Sequence, residues 1–163
     1  MKIFQSGIQL RQTCQRLREA GKSIGFVPTM GCLHEGHLSL VRLARKQAEI
    51  VAVSIFVNPT QFGPGEDLAR YPRDLARDTA LCEKEGVDLL FCPDAAGMYA
   101  PDHSVYVEET AISRSLCGAS RAGLFRGVAS ILAKLLNIIQ PVFAVFGQLD
   151  AQECRVVSRM ARD

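Results

Sequence analysis

Apolar residues in this chain fall into two alternating patterns. Nearly unbroken runs within residues 24–27, 50–57, 88–92 and 143–146 are separated by stretches where apolar side chains recur every three or four positions. The run at 50–57 is rich in β-branched residues, which suits a parallel strand buried on both faces. The periodic stretches predict amphipathic helices over 10–20 (Leu10, Cys14, Leu17), 37–48 (Leu40, Leu43, Ala44, Ala48), 73–85 and 124–139. The last of these places Val128, Ile131, Leu132, Leu135, Leu136 and Ile139 on one face. Gly21 stops the first helix, Pro141 ends the fourth, and a final helix follows Asp150 to the end of the chain. Pro28 cannot donate to a sheet ladder, so the first strand is expected to stop there. Residues 93–103 read as irregular and 105–107 as a further short strand. Strands alternating with helices predict an α/β fold, a doubly wound parallel sheet. No repeat or low-complexity linker divides it, so residues 1–163 are expected to form one domain.

In such sheets ligands bind outside the carboxyl ends of the strands. Three loops there carry polar, turn-forming residues: 28–37, 58–62 and 147–150. In the first, Gly31 and Gly36 give the backbone freedom to turn, and His34 and His37 stand at the entrance of a helix. A helix start is a ready anion site, because its first N–H groups are unpaired and its dipole is positive. Two imidazoles three residues apart face the same way and can stabilise charge that builds up at an α-phosphate. That is the functional reading, a nucleotide-binding H-x-G-H-like element. The competing reading is that His34 merely caps the helix and His37 packs on its first turn. Cys32, His34 and His37 also hint at zinc, but no fourth ligand or second ligand pair stands at metal spacing.

Composition narrows the class without naming the chemistry. The chain has 48% hydrophobic and 22% charged residues, ordinary for a globular domain able to bury a core. A formal net charge of +2, with no run of more than two basic residues, leaves no footprint for nucleic acid. No apolar stretch reaches membrane-spanning length, and residues 1–10 lack the apolar core of a signal peptide. The six cysteines form no C-x-x-C pair, which fits free thiols in a reducing cytoplasm.

The segment Pro28-Thr29-Met30-Gly31-Cys32-Leu33-His34-Glu35-Gly36-His37-Leu38-Ser39-Leu40-Val41 resembles the signature of the pantoate–β-alanine ligase family. Phe56-Val57-Asn58-Pro59-Thr60-Gln61-Phe62, Tyr71-Pro72-Arg73, Phe125-Arg126-Gly127-Val128 and Phe146-Gly147-Gln148 extend the resemblance in the right order. It implies a Rossmann-like domain of the HIGH-type nucleotidyltransferase superfamily, working with ATP and Mg2+, cytoplasmic and usually a homodimer. The family joins pantoate to ATP, giving pantoyl adenylate and pyrophosphate; β-alanine then attacks the acyl carbon and releases AMP and pantothenate. By motif, Met30, Gly31, Cys32, Leu33, His34, Glu35, Gly36 and His37 would form the ATP-binding segment. His34 and His37 would contact phosphates, with His37 as proton donor. Gln61 would hydrogen-bond pantoate, and Asn58 would line the same pocket. Gly147, Gln148, Leu149 and Asp150 would hold the adenosine and phosphates, and Glu153 occupies a pantoate position. Gln61 offers both a donor and an acceptor, which suits a hydroxy acid, though a loop glutamine bonded to nearby backbone is an equal alternative. Asp150 with Glu153 has the D-x-x-E pattern of a helix start, so capping is the first role expected of Asp150. For Arg121 and Arg126 an ordinary surface role is favoured.

The chain departs from the family pattern at several site positions. Leu149 stands where the family has a lysine for the phosphates. Losing a charge-assisted hydrogen bond costs about 1.5–3 kcal/mol, and losing a donor aimed at transition-state charge costs roughly 10²–10³ in rate. Glu153 replaces the family glutamine and sets a carboxylate against a carboxylate substrate. Leu124 replaces a histidine before Phe-Arg-Gly. The family continues into a smaller C-terminal domain whose Met-Ser-Ser-Arg-like loop closes over ATP, whereas this sequence ends at Asp163. The expectation is an N-terminal domain with weak turnover. The alternatives are an ATP-binding or dimerisation module that has lost its chemistry, and a nucleotidyltransferase acting on another acid.

Overall fold

The apolar runs become four of the five strands of one parallel sheet, and the periodic stretches become the helices that cover it. The structure is a computed structural model describing residues 1–163 except Pro64, Asp67, Leu149 and Asp150. In chain order the regular elements are β1 (Lys2–Phe4), α1 (Gly7–Glu19), β2 (Ile24–Thr29), α2 (Glu35–Gln47) and β3 (Ile50–Ile55). Then come α3 (Leu75–Lys84), β4 (Leu89–Phe91), α4 (Ala95–Met98), α5 (Cys117–Ser120), α6 (Leu124–Ile139), β5 (Phe143–Ala144) and α7 (Ala151–Arg162). Short 3-10 turns lie at Pro59–Gln61, Leu68–Arg70 and Ile112–Arg114. The five strands pair in parallel in the order β1-β4-β3-β2-β5.

Alternate residues of the central strands enter different cores. Ile24, Phe26, Ala52, Leu89 and Phe91 pack with Leu10 and Cys14 of α1, the apolar stripe of α6, and Val156 and Val157 of α7. Val27, Val51, Val53 and Leu90 pack on the opposite face with Val41 and Ala44 of α2 and Cys82 of α3. The sheet is therefore covered on both sides, as the doubly wound expectation requires. Arg18 of α1 donates to the Ile139 carbonyl at 2.6 Å and ties the end of α6 to its neighbour. No disulfide joins the six cysteines, all of them described residues, and burial pushes Cys14 and Cys92 up to about 11 and Cys82 up to about 12, so these three are inert packing groups at neutral pH.

Several boundaries differ from the sequence reading, each for a local reason. Strand β2 continues through Pro28 to Thr29. The carbonyls of Ile24 and Phe26 accept from Val142 and Val145, while that of Thr29 accepts from Phe56 on the β3 side. Pro28 thus faces the β5 side after β5 has ended, and its missing N–H forfeits no ladder bond. Helix α1 begins at Gly7 because Ser6 caps it, accepting from the Gln9 N–H at 3.4 Å. Residues 105–107 form no strand; Val107 instead exchanges hydrogen bonds with the Ser130 hydroxyl of α6 at 2.9 and 3.3 Å. The edge strand β1 is a finding of the structure alone.

Candidate functional site

The loop after β2 is shaped by two consecutive left-handed residues, Gly31 at φ +84° and Cys32 at φ +53°. A Cβ on Gly31 would lie 3.0 Å from Ile55 Cγ2 and 3.1 Å from Asp78 Oδ2, so the position has neither the conformation nor the room for a side chain. Thr29 Oγ1 accepts from the Gly31 N–H at 3.2 Å and donates to the Ser54 carbonyl at 2.7 Å. Asp78 of α3 then accepts from the Cys32 and Leu33 N–H groups at 2.7 and 2.8 Å.

The loop delivers His34 to the N-cap of α2, which starts at Glu35 rather than at His37. His34 Nδ1 accepts from the Gly36 N–H at 3.1 Å, and His37 Nδ1 accepts from the His34 N–H at 3.4 Å. A Cβ on Gly36 would sit 2.8 Å from His34 Cε1, so glycine there makes room for the imidazole cap. An imidazole whose Nδ1 accepts must carry its neutral-state proton on Nε2. The ring centroids are 4.2 Å apart. One nitrogen of each ring caps the helix, and the other is left as an N–H donor. The N–H groups of His34 and Gly36 are bonded to imidazole nitrogens.

Burial and the neighbouring His34 push the pKa of half-buried His37 below its ordinary value, with Asp78 opposing them in part. A depressed histidine pKa means that the unfolded chain binds more protons in the window between the two values. Stability from this group is complete above about pH 6.5 and is lost as pH falls through the depressed value. Urea denaturation between about pH 5 and about pH 7.5 is expected to show the midpoint falling on acidification, with His37→Gln flattening the slope.

The loop after β3 is organised by Asn58, which is 1% exposed. Its Nδ2 donates to Gln61 Oε1 at 3.0 Å and to the Gly127 carbonyl at 3.1 Å. Its Oδ1 accepts from the Thr60 N–H, the Thr60 hydroxyl and Tyr99 OH at 3.3, 3.0 and 2.8 Å. Asn58 is therefore spent on the protein's own framework, and its donors are used up. Gln61 is partly exposed; with Oε1 engaged by Asn58, its amide N–H groups are the polar face it offers outward. Arg121 donates to the Gln61 carbonyl at 3.3 Å and pairs with Glu66 at 2.5 Å, while Arg126 stacks 4.6 Å over the Tyr106 ring. Leu124 is buried in the α6 core.

The loop after β5 runs beside α2. Gly147 and Gln148 are exposed, and an added Cβ on Gly147 would stand 3.8 Å from Leu40 Cδ1. The Cys154 thiol donates to the Gly147 carbonyl at 3.3 Å. Leu149 and Asp150 lie outside the described residues. Glu153 is partly buried in the first turn of α7. Its neighbour Gln152 is buried and pins residues 112–117, accepting from the Cys117 N–H at 3.0 Å and donating to the Ile112 carbonyl at 2.8 Å.

A cavity of about 330 Å³ lies at the same edge of the sheet, walled by Met30, Phe56, Pro59, Leu75, Asp78 and Cys92 among others. It shares Met30 and Gly31 with the first loop, but His34, His37 and Gln61 are not on its walls. Among the described residues no three His, Cys, Asp or Glu side chains group as a metal site. The donors of the described residues therefore form no protein-held Mg2+ cage. Among the described residues no helix is long and apolar enough to cross a membrane. Asp78 and Gln152 are the positioning groups that sequence reading missed. The signal for Asp78 was a carboxylate four residues before Cys82 on the buried face of a helix.

The family model for pantoate-beta-alanine ligase matches residues 2–163. The pantothenate synthetase of Thermotoga petrophila is 58% identical over 163 residues, covering all of this chain and 58% of that protein. Pantothenate synthetase 1 of Bradyrhizobium diazoefficiens is 51% identical over the same span. The crystal structure of pantothenate synthetase from Thermus thermophilus superposes with a TM-score of 0.94 at 46% identity, covering 100% of this chain and 58% of that one. A pantoate-beta-alanine ligase from Francisella tularensis, complexed with beta-gamma ATP and beta-alanine, superposes at 0.95 with 36% identity, covering 100% of this chain and 62% of that one. The chain thus spans somewhat over half the length of the relatives it matches.

Proposed function

This chain belongs to the pantoate–β-alanine ligase family, and on that premise we propose that it is the nucleotide-binding part of an enzyme that adenylates pantoate. The observation that carries the reading is the reciprocal cap of α2, which fixes two Nε2–H donors side by side at the carboxyl edge of the sheet. Donors held in place before the reaction stabilise charge developing on phosphate oxygens without reorganisation. A pantoate carboxylate oxygen attacks the α-phosphorus of ATP as the bond to the bridging oxygen breaks and pyrophosphate leaves. His34 and His37 hydrogen-bond the phosphate oxygens through Nε2–H, with His37 as the proton donor. Gln61 turns its amide N–H groups to pantoate, held in that orientation by Asn58. β-Alanine then attacks the acyl carbon, and its amine loses a proton as AMP departs. Met30, Gly31, Cys32, Leu33, Glu35, Gly36, Gly147 and Gln148 complete the nucleotide's surroundings, together with Leu149 and Asp150. Mg2+ accompanies ATP as the counter-ion of its phosphates, which fits an ion that is usually held by substrate oxygens and few carboxylates. Homodimerisation and a cytoplasmic setting belong to the same reading.

Leu149 and Glu153 favour slow turnover. A lysine charge is absent, and a carboxylate stands at a position the family uses for an anionic acid. Single-turnover incubation with ATP, Mg2+ and pantoate tests the proposal. Pantoyl adenylate is the expected product, converted to pantothenate and AMP on adding β-alanine. ATP hydrolysis that ignores pantoate would overturn it.

A further inference from the structure

Asp78 stands in the middle of α3 at 1% exposure, on the face that carries Cys82 into the core. A buried carboxylate is costly unless it is hydrogen-bonded, so its partners explain its presence. Arg77 of the same helix pairs with Oδ1 at 3.7 Å, but the hydrogen-bond donors are not on α3. The two oxygens accept from the backbone of Cys32 and Leu33, at the point where Gly31 and Cys32 hold positive φ. A left-handed conformation is uncommon for a non-glycine residue such as Cys32 and has to be held by its surroundings. Arg77 adds a second grip from α3, donating to the Leu33 carbonyl at 3.0 Å. Both backbone groups of Leu33 are thus fixed immediately before His34 takes the N-cap.

We propose that Asp78 is a positioning residue: its carboxylate fills the anion-binding turn at residues 31–33 from inside the protein and thereby sets the reciprocal histidine cap. The N–H groups of Cys32 and Leu33 are consequently turned inward, and a bound phosphate meets the imidazole Nε2–H donors instead. The consequence for nucleotide binding rests on the proposed function; the consequence for the cap does not.

The chain contains three histidines, so their ring nitrogens can be followed individually by long-range proton–nitrogen NMR above neutral pH. In the parent, His34 and His37 are expected as fixed Nε2–H tautomers. In Asp78→Asn, which keeps the shape but replaces one acceptor with a donor, both are expected to average between tautomers while His103 is unchanged. ATP affinity in the same variant is expected to fall about tenfold, the low end of one charge-assisted hydrogen bond. Asp74→Ala is the control, since Asp74 caps the same helix by accepting from the Arg77 N–H at 3.0 Å and does not hydrogen-bond the loop. It should lower stability yet retain both tautomers. Fixed tautomers in Asp78→Asn, or averaging in both variants, would overturn the proposal. If Asp78→Asn does not fold, Asp78→Ser is read by the same criteria. A parent that binds no ATP would refute the nucleotide reading, while the tautomers would still decide the role of Asp78.

Discussion

Rebuilding the start of α2 with His34→Ser and His37→Gln together is expected to preserve the fold and slow pantoate adenylation by roughly 10²–10³ or more. The two substitutions separate the roles that the histidines combine. Serine at the cap and glutamine three residues later form an ordinary capping box: the serine accepts from the N–H of residue 37, and the glutamine accepts the residue 34 N–H that His37 Nδ1 accepts now. Loss of a cap costs about 0.5–2 kcal/mol, and this pair should lose less than that. The Nε2–H donors, by contrast, disappear. Thermal unfolding close to that of the parent with adenylation nearly abolished is the expected combination. Parent-like adenylation would mean that the histidines serve only as caps.

Gly127→Ala is expected to damage the site from the other side. Gly127 lies in the first turns of α6 against the loop after β3, and a Cβ there would stand 2.5 Å from the Thr60 carbonyl oxygen and 3.0 Å from the Gln61 nitrogen. Both neighbours are backbone, so relief requires the loop to move. The carbonyl of Gly127 also accepts from Asn58, the residue that orients Gln61. Overpacking of this kind costs about 1–3 kcal/mol, which lowers the melting temperature of a domain this size by about 2–4 °C per kcal/mol. The functional loss should be selective. Pantoate KM is expected to rise about tenfold or more, one well-placed hydrogen bond to a charged group, while ATP affinity changes little. Steady-state kinetics with each substrate varied in turn checks this. An equal loss for both substrates would show that the loop does not serve pantoate in particular.

Much of this architecture was legible in the residues. The stripe from Val128 to Ile139 marks α6 over 124–139, and the helix has those same limits in the structure. The β-branched run at 50–57 marks the central strand, although its last residues peel away into the Asn58 loop. The losses occurred where hydrogen bonding, not side-chain pattern, decides. Strand β1 has three residues and an exposed edge, too short for a periodicity to show. Pro28 defeats the rule about prolines in inner strands because β5 stops before reaching it. Residues 105–107 have a strand's composition but find a hydroxyl on α6 instead of a neighbouring strand.

The site was legible in outline and opaque in its supports. Glycines and histidines at a strand-to-helix turn mark a candidate anion site, with helix capping as the competing duty of the same residues. Which nitrogen of each imidazole faces outward depends on a cap geometry that spacing alone leaves open. Asp78 reaches across 45 and 46 residues to the turn it holds, a contact that no local pattern encodes. Asn58 reads from the sequence as a pocket residue, and its role as the internal strut of the Gln61 loop shows only in the structure.

On the proposed function, the two outward imidazole donors serve phosphoryl chemistry on pantoate. Pantoate-dependent exchange of labelled pyrophosphate into ATP measures that step alone, without β-alanine. Slow but measurable exchange is expected of the parent chain and none of the His34→Ser, His37→Gln variant. No exchange by the parent, or exchange that survives in the variant, would contradict that reading.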